Sequence, residues 1–214
     1  DEFASREGLI FSGRIDNMLG ATNQITFDQH KEIQDKICEE YPINLSMSIG
    51  TGETPKEAQE KASQALQEHG SSQSKERQKI LTGNELTQED ESWVEIAHID
   101  VNHATPITDN EPFYHTHQLI QNVYTHLTQE LPKYGALVFF TGGDNFMAFA
   151  NKTKKSDLRE TFELINKETG VKLKAGIGKA QNAEKAAGLA DKALDAIRAG
   201  ECEGQILVKR LDLE

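Results

Sequence analysis

The chain has 214 residues, 36% of them hydrophobic and 27% charged, enough for one large domain or two small ones with a polar surface. No apolar run approaches the roughly 20 residues that span a bilayer, and Asp-Glu-Phe-Ala-Ser at the N-terminus lacks the basic and apolar regions of a signal peptide, so a cytoplasmic protein is expected. A net charge of −12 argues against general nucleic-acid binding, which needs Lys and Arg to neutralise phosphates, but leaves room for a small anionic ligand bridged to carboxylates by a divalent cation.

In chain order, the first element is a hairpin over residues 8–23, around Leu9-Ile-Phe-Ser-Gly-Arg-Ile-Asp16-Asn17. Residues 70–92 are polar and low in aromatics and read as a connection; the domain division is 1–72, a linker at 73–92, and 93–214. Trp93-Val-Glu-Ile-Ala-His-Ile-Asp-Val alternates and is rich in strand formers, giving a strand that ends near Asp100. Leu119, Ile120, Val123, Leu127 and Leu131 then recur at helical spacing over 112–131, until Pro132 and Gly135 break the pattern. A second hairpin has strands near 136–141 and 146–150. A helix over 156–168, a strand at 171–178, an Ala/Leu-rich helix over 183–199 and a strand at 205–209 complete the chain. The order βαββαβ with a further αβ element is a split-βαβ, ferredoxin-like α+β pattern.

The chain also repeats itself. At an offset of 128, the segment ending in Asp16-Asn17 falls on Leu137-Val-Phe-Phe-Thr-Gly-Gly-Asp144-Asn145, and Ile43 to Gly50 falls on Val171 to Gly178 without a gap. Ala58, Ala62, Ala65 and Leu66 then meet Ala186, Ala190, Ala193 and Leu194. A common register over about sixty residues reads as a duplicated unit, and the period is too long for a solenoid. The first copy starts at its hairpin; its counterpart of the 93–101 strand and the helix after it would lie earlier still.

In a split-βαβ sheet the central hairpin lies beside the first strand, which brings Asp100 near Asp144 at the hairpin tip. Alternation puts His98, Asp100 and Asn102 on one face, with Ile99 and Val101 on the other. Two Asp side chains suit a hard cation such as Mg²⁺, which often completes its shell with substrate phosphates. The turn after Asp100, Val-Asn-His-Ala-Thr105, offers successive N–H groups to an anion. Each residue also has a plain structural reading: Asp100 as a strand terminator, Asp144 as turn chemistry, Arg198 as a base at a helix C-terminus. His115, His117 and His126 lack the spacing and neighbours of a zinc site. Cys38 and Cys202, with no CxxC, suggest neither a disulfide framework nor a cysteine metal site.

Taken together, Ala97-His-Ile-Asp-Val-Asn-His-Ala-Thr, Leu137-Val-Phe-Phe-Thr-Gly-Gly-Asp-Asn-Phe-Met-Ala and Leu173-Lys-Ala-Gly-Ile-Gly resemble the archaeal GTP cyclohydrolase III family. Arg14-Ile-Asp-Asn, Glu53-Thr-Pro-Lys-Glu-Ala-Gln and Tyr134-Gly-Ala-Leu match it as well, so the resemblance runs from about residue 8 to 210. More distantly, the second copy is similar to GGDEF domains and class III nucleotidyl cyclases through the Gly-Gly-Asp-Asn hairpin and Ala190-Asp-Lys-Ala-Leu-Asp-Ala-Ile-Arg198. The resemblance implies an Mg²⁺-dependent hydrolase that opens the guanine imidazole ring of GTP with water and stops at the formamide. It also implies release of phosphate to leave a formylamino-pyrimidine ribonucleotide monophosphate for flavin and deazaflavin synthesis. Carried over, Asp100 and Asp144 become metal ligands, with Asp16 as the first copy's counterpart. Val101, Asn102, His103, Ala104 and Thr105 become the phosphate cradle, Arg198 and Asn145 substrate contacts, and His98 a candidate for activating water. A nucleotidyl cyclase is disfavoured because Asn145 replaces the second acid of the GGDEF motif; a non-catalytic nucleotide-binding module is the remaining alternative. The family's first domain begins with a strand bearing its own Asp. Without it, Asp16 lacks a partner and a sheet edge stays open, so the expectation is a homo-oligomer or a poorly active chain.

Overall fold

The computed structural model describes residues 2–14, 16–84, 93–102 and 109–211. The C-terminal half is built on a five-stranded sheet of β5 (Val94–Val101), β6 (Leu137–Gly142), β7 (Asn145–Phe149), β8 (Leu173–Ala180) and β9 (Ile206–Arg210). Its spatial order is β6-β7-β5-β8-β9, with β5 antiparallel to both neighbours and β9 parallel to β8. The hairpin therefore lies beside the first strand, as the split-βαβ pattern requires.

Strand alternation divides the side chains between two cores. Ala97, Ile99 and Val101 of β5, with Phe146 and Ala148 of β7 and Leu173, Ala175 and Ile177 of β8, face α3 (Phe113–Glu130) and α4 (Lys155–Thr169). From α3 come Ile120, Val123 and Leu127, and from α4 Leu158, Phe162 and Ile165, each set recurring at three or four residues so that one stripe of each helix is buried. On the other face Val94, Ile96, Met147, Phe149 and Ala180 meet the alanines of α5 (Ala183–Arg198). That helix starts at Asn182, whose side chain accepts a hydrogen bond from the Lys185 amide. It lies unusually close to the sheet because β8 has glycines beneath it: a Cβ on Gly176 would fall 2.0 Å from the Ala190 carbonyl oxygen, and one on Gly178 1.9 Å from that of Ala186.

The N-terminal half supplies β1 (Leu9–Arg14), β2 (Asn17–Ala21), α1 (Phe27–Glu40), β3 (Met47–Ile49), α2 (Pro55–Gln67) and β4 (Leu81–Gly83). Thr26 and Gln29 form a capping box at the start of α1, and Thr54 followed by Pro55 starts α2. β1 and β2 form one two-stranded antiparallel sheet; β3 and β4 form a separate parallel one. Residues 73–92, read from the sequence as a linker, thus contain a strand that belongs to the N-terminal half. The sequence hid β4 because it is three residues long in a polar segment, and only its pairing with β3 makes it a strand. The β1–β2 hairpin lies on the same face of the large sheet as α5. There Phe11 stacks on Phe139 at 4.8 Å between ring centroids and leans on Phe149 at 5.4 Å. α5 and the hairpin together cover that face, leaving a polar strip at the end of β5.

Candidate functional site

The strip begins with two residues of one strand. His98 and Asp100 both point to the α5 face, where alternation places them. Asp100 lies opposite Asn145 on β7 and opposite Lys174 on β8, and directly opposed residues in an antiparallel ladder share a face. The β6–β7 turn then delivers Asp144. Gly142 and Gly143 adopt positive φ of 112° and 61°, values that an L side chain resists, so the tight tip depends on both glycines. The Asp144 carbonyl accepts the Val101 N–H at 3.3 Å and ties the tip to the end of β5.

The electrostatics follow from that convergence. Asp100 has only 5% of its side chain exposed, and its Oδ2 accepts from Arg198 Nε at 3.1 Å and Nη2 at 2.9 Å, with Lys174 Nζ at 3.2 Å. A carboxylate so buried needs this compensation. Burial raises the Asp144 carboxyl above the usual carboxylate range, and the neighbouring Asp100 charge and a hydrogen bond with Asp100 raise it further, against the pull of Arg198. For Arg198, burial acts downward, but its hydrogen bonds and charge interactions with Asp100 and Asp195 outweigh it and leave the guanidinium raised.

His98 sits between α5 and the hairpin. Its Nδ1 lies 2.6 Å from Asp191 Oδ1 and its Nε2 2.9 Å from Asn145 Oδ1. Asn145 Nδ2 in turn donates to Asp144 Oδ1 at 2.9 Å. With both ring nitrogens engaged, His98 has none facing a water, so this arrangement does not give it the water-activating position considered for it.

The structure thus brings together Asp100, Asp144, Asn145, His98 and Arg198. Asp16 stands apart on the tip of the β1–β2 hairpin, where Asn17 Nδ2 donates to its Oδ1 at 2.6 Å. Among the described residues no three His, Cys, Asp or Glu side chains gather into one metal cluster, so Asp16 does not join Asp100 and Asp144. Val101 and Asn102 depart from the expected phosphate cradle, because their amides already donate to the Asp144 and Lys172 carbonyls, the latter at 2.7 Å. His103, Ala104 and Thr105 lie outside the described residues. Lys174, Asp191 and Asp195 were missed from the sequence. The four- and three-residue spacing of Asp191, Asp195 and Arg198 along one helix edge was the available signal for two of them; Lys174 had none until the β5–β8 register was known.

A family model described as GTP cyclohydrolase III matches residues 1–210. The chain belongs to the GTP cyclohydrolase III family. It is 48% identical over 200 residues to the GTP cyclohydrolase III of Methanothermobacter thermautotrophicus, an overlap covering 93% of this chain and 80% of that protein. With the GTP cyclohydrolase III of Methanocaldococcus jannaschii it shares 44% identity over 198 residues, 92% of this chain and 73% of that one. Among solved structures, the coiled coil and GGDEF domain of DgcB from Caulobacter crescentus matches at a TM-score of 0.47 and 14% identity, over 85% of this chain and 93% of that one. No helix among the described residues is long and apolar enough to cross a membrane.

Proposed function

We propose that this protein is a GTP-hydrolysing cyclohydrolase whose Asp100 and Asp144 hold a divalent cation, Mg²⁺ by expectation, against the triphosphate. The observation that carries the reading is the meeting of one carboxylate on β5 with one on the β6–β7 turn beside Lys174 and Arg198. The donor set fits the ion. It consists of oxygens alone, and Asp144, raised first by burial and then by the Asp100 charge, is a carboxyl whose ionised form a hard cation favours. When bound, such an ion polarises phosphate oxygens and lowers the pKa of a water.

The protein's own groups do the rest. Arg198, with 39% of its side chain exposed, presents a planar fork of donors at the mouth of the site and takes phosphate oxygens there. Lys174, only 13% exposed, stays on Asp100 and keeps the buried carboxylate compensated while Arg198 is shared with substrate. Phosphate release needs this positioning and charge neutralisation more than a protein nucleophile. In the ring-opening step water adds to the imidazole carbon, one ring C–N bond breaks, and a formamide remains on the pyrimidine. The monophosphate product fits a supply role in flavin or deazaflavin synthesis, and a cytoplasmic setting accords with a GTP substrate.

The same reading takes the N-terminal half as a second copy of the unit. Arg14 pairs with Asn17 across a shifted register, as Gly142 does with Asn145. A Cβ on Gly50 would lie 2.0 Å from the Ala58 carbonyl oxygen and 2.6 Å from the Ala62 amide, against 1.9 and 2.5 Å for Gly178 with Ala186 and Ala190. The two separate two-stranded sheets have open edges, which supports homo-oligomerisation; light scattering on the purified chain tests it, a monomer refuting it.

Incubation with GTP and Mg²⁺, with products followed by mass, tests the function. A ring-opened monophosphate is expected; a cyclic or dinucleotide product, or binding without turnover, refutes it. Asp100→Asn and Asp144→Asn each abolish Mg²⁺-dependent phosphate release with the circular dichroism spectrum retained, and full activity in both would falsify the metal assignment.

A further inference from the structure

The hairpin that carries Asp144 turns on two adjacent glycines, a poor platform for holding a carboxylate in one orientation. The side chain is held from outside the turn instead. Asp144 Oδ1 receives Asn145 Nδ2 at 2.9 Å, Asn145 Oδ1 faces His98 Nε2 at 2.9 Å, and His98 Nδ1 faces Asp191 Oδ1 at 2.6 Å. Donor and acceptor chemistry orients the Asn145 amide within this chain. Asn145 Nδ2 donates to Asp144 Oδ1, so the amide oxygen of Asn145 faces His98. The imidazole is anchored at its other nitrogen by Asp191 on α5, a helix seated tightly on the glycines of β8. The chain runs from a rigid helix across the central strand to a glycine turn.

We propose that Asp191, His98 and Asn145 form a positioning chain that orients the Asp144 carboxylate for the cation and GTP. The proposal rests on the reading of Asp144 as a metal-holding carboxylate given above. It assigns His98 and Asp191 no contact with substrate. Outer partners of this kind hold a ligand's plane and rotamer fixed, and their loss weakens metal affinity or activity by about 10–100-fold.

The test uses Asp191→Ala, His98→Phe and the double variant in the full chain. Mg²⁺ binding is measured by calorimetry without nucleotide, kcat and KM with GTP, and Tm by melting. Asp191 is 56% exposed on a helix and alanine favours helix, so that variant keeps its fold. Both single variants are expected to lose roughly 10–100-fold in Mg²⁺ affinity and kcat, with KM for GTP within about twofold of wild type. The double variant is no worse than the poorer single one, because both cut one chain. Wild-type Mg²⁺ affinity and kcat in Asp191→Ala, additive losses, or a raised KM at constant kcat would each overturn the proposal. Asp144→Asn measured alongside separates the two readings. If it keeps Mg²⁺ binding, the carboxylate assignment fails; if it alone loses Mg²⁺, the site stands and the positioning chain fails.

Discussion

Gly176→Ala adds one methyl group under α5, opposite His98 on the neighbouring strand. That Cβ would lie 2.0 Å from the Ala190 carbonyl oxygen and 2.4 Å from the Leu194 amide, both helix backbone atoms that cannot rotate away. Ordinary contact is above 3 Å, so the helix must retreat by roughly 1 Å or more. Overpacking of this kind costs about 1–3 kcal/mol, which for a chain of this length lowers Tm by roughly 3–10 °C. The retreat also stretches what the helix holds. The Asp191–His98 bond at 2.6 Å and the Arg198–Asp100 bonds at 2.9 and 3.1 Å move toward or past the limit of useful hydrogen bonding. A misplacement of about 1 Å costs on the order of 100-fold in rate, so kcat should fall by that factor without a direct change to any site residue. Melting curves and GTP turnover on the purified variant read both effects. Wild-type Tm and turnover would refute the claim that close seating of α5 sets the site's geometry.

The remaining predictions use other contacts. Folding favours the neutral form of Asp144, so its contribution to stability is full below the ordinary carboxylate pKa and is lost as pH rises through the raised value. Metal-free Asp144→Asn should therefore melt above wild type at pH 7, by an amount that solvent screening at this half-exposed group keeps small, and lose that part of the pH dependence. Lys174→Met leaves buried Asp100 with Arg198 as its only cation among the described residues and costs roughly 2 kcal/mol in denaturant titration, less than the about 3–5 kcal/mol of a buried charge with no partner. Phe11→Ala removes the stack on Phe139 and Phe149, and amide exchange across β1 and β2 should quicken while the large sheet keeps its protection. Gly188→Ala, inside α5 with nothing within 4 Å of the new Cβ, should stabilise by about 0.5–1 kcal/mol, read as a higher Tm.

Most elements of the C-terminal half are legible along the chain. The stripe from Leu119 to Leu131, the alternation from Val94 to Val101 and the glycine turn at Gly142 and Gly143 each announce themselves within a few turns or strand residues. Local sequence suffices there because helix and strand periods are set by local backbone geometry. The pairing of Asp100 with Asp144 followed from topology, since a split-βαβ order places the hairpin beside the first strand. What local sequence did not carry is every contact between side chains far apart in the chain. His98 reaches Asp191 across 93 residues and Asp100 reaches Arg198 across 98, while Lys174 meets Asp100 through the β5–β8 register alone. A one-residue slip of that register would turn Lys174 to the opposite face, and only the packing of two cores on the sheet forbids it. The three-residue strand β4 likewise exists through its partner β3 rather than through its own composition. The sequence by itself determined most elements of the C-terminal half and the family. The tertiary structure decided which nitrogen faces which oxygen, because those distances depend on strand register and on how closely glycine lets a helix approach the sheet.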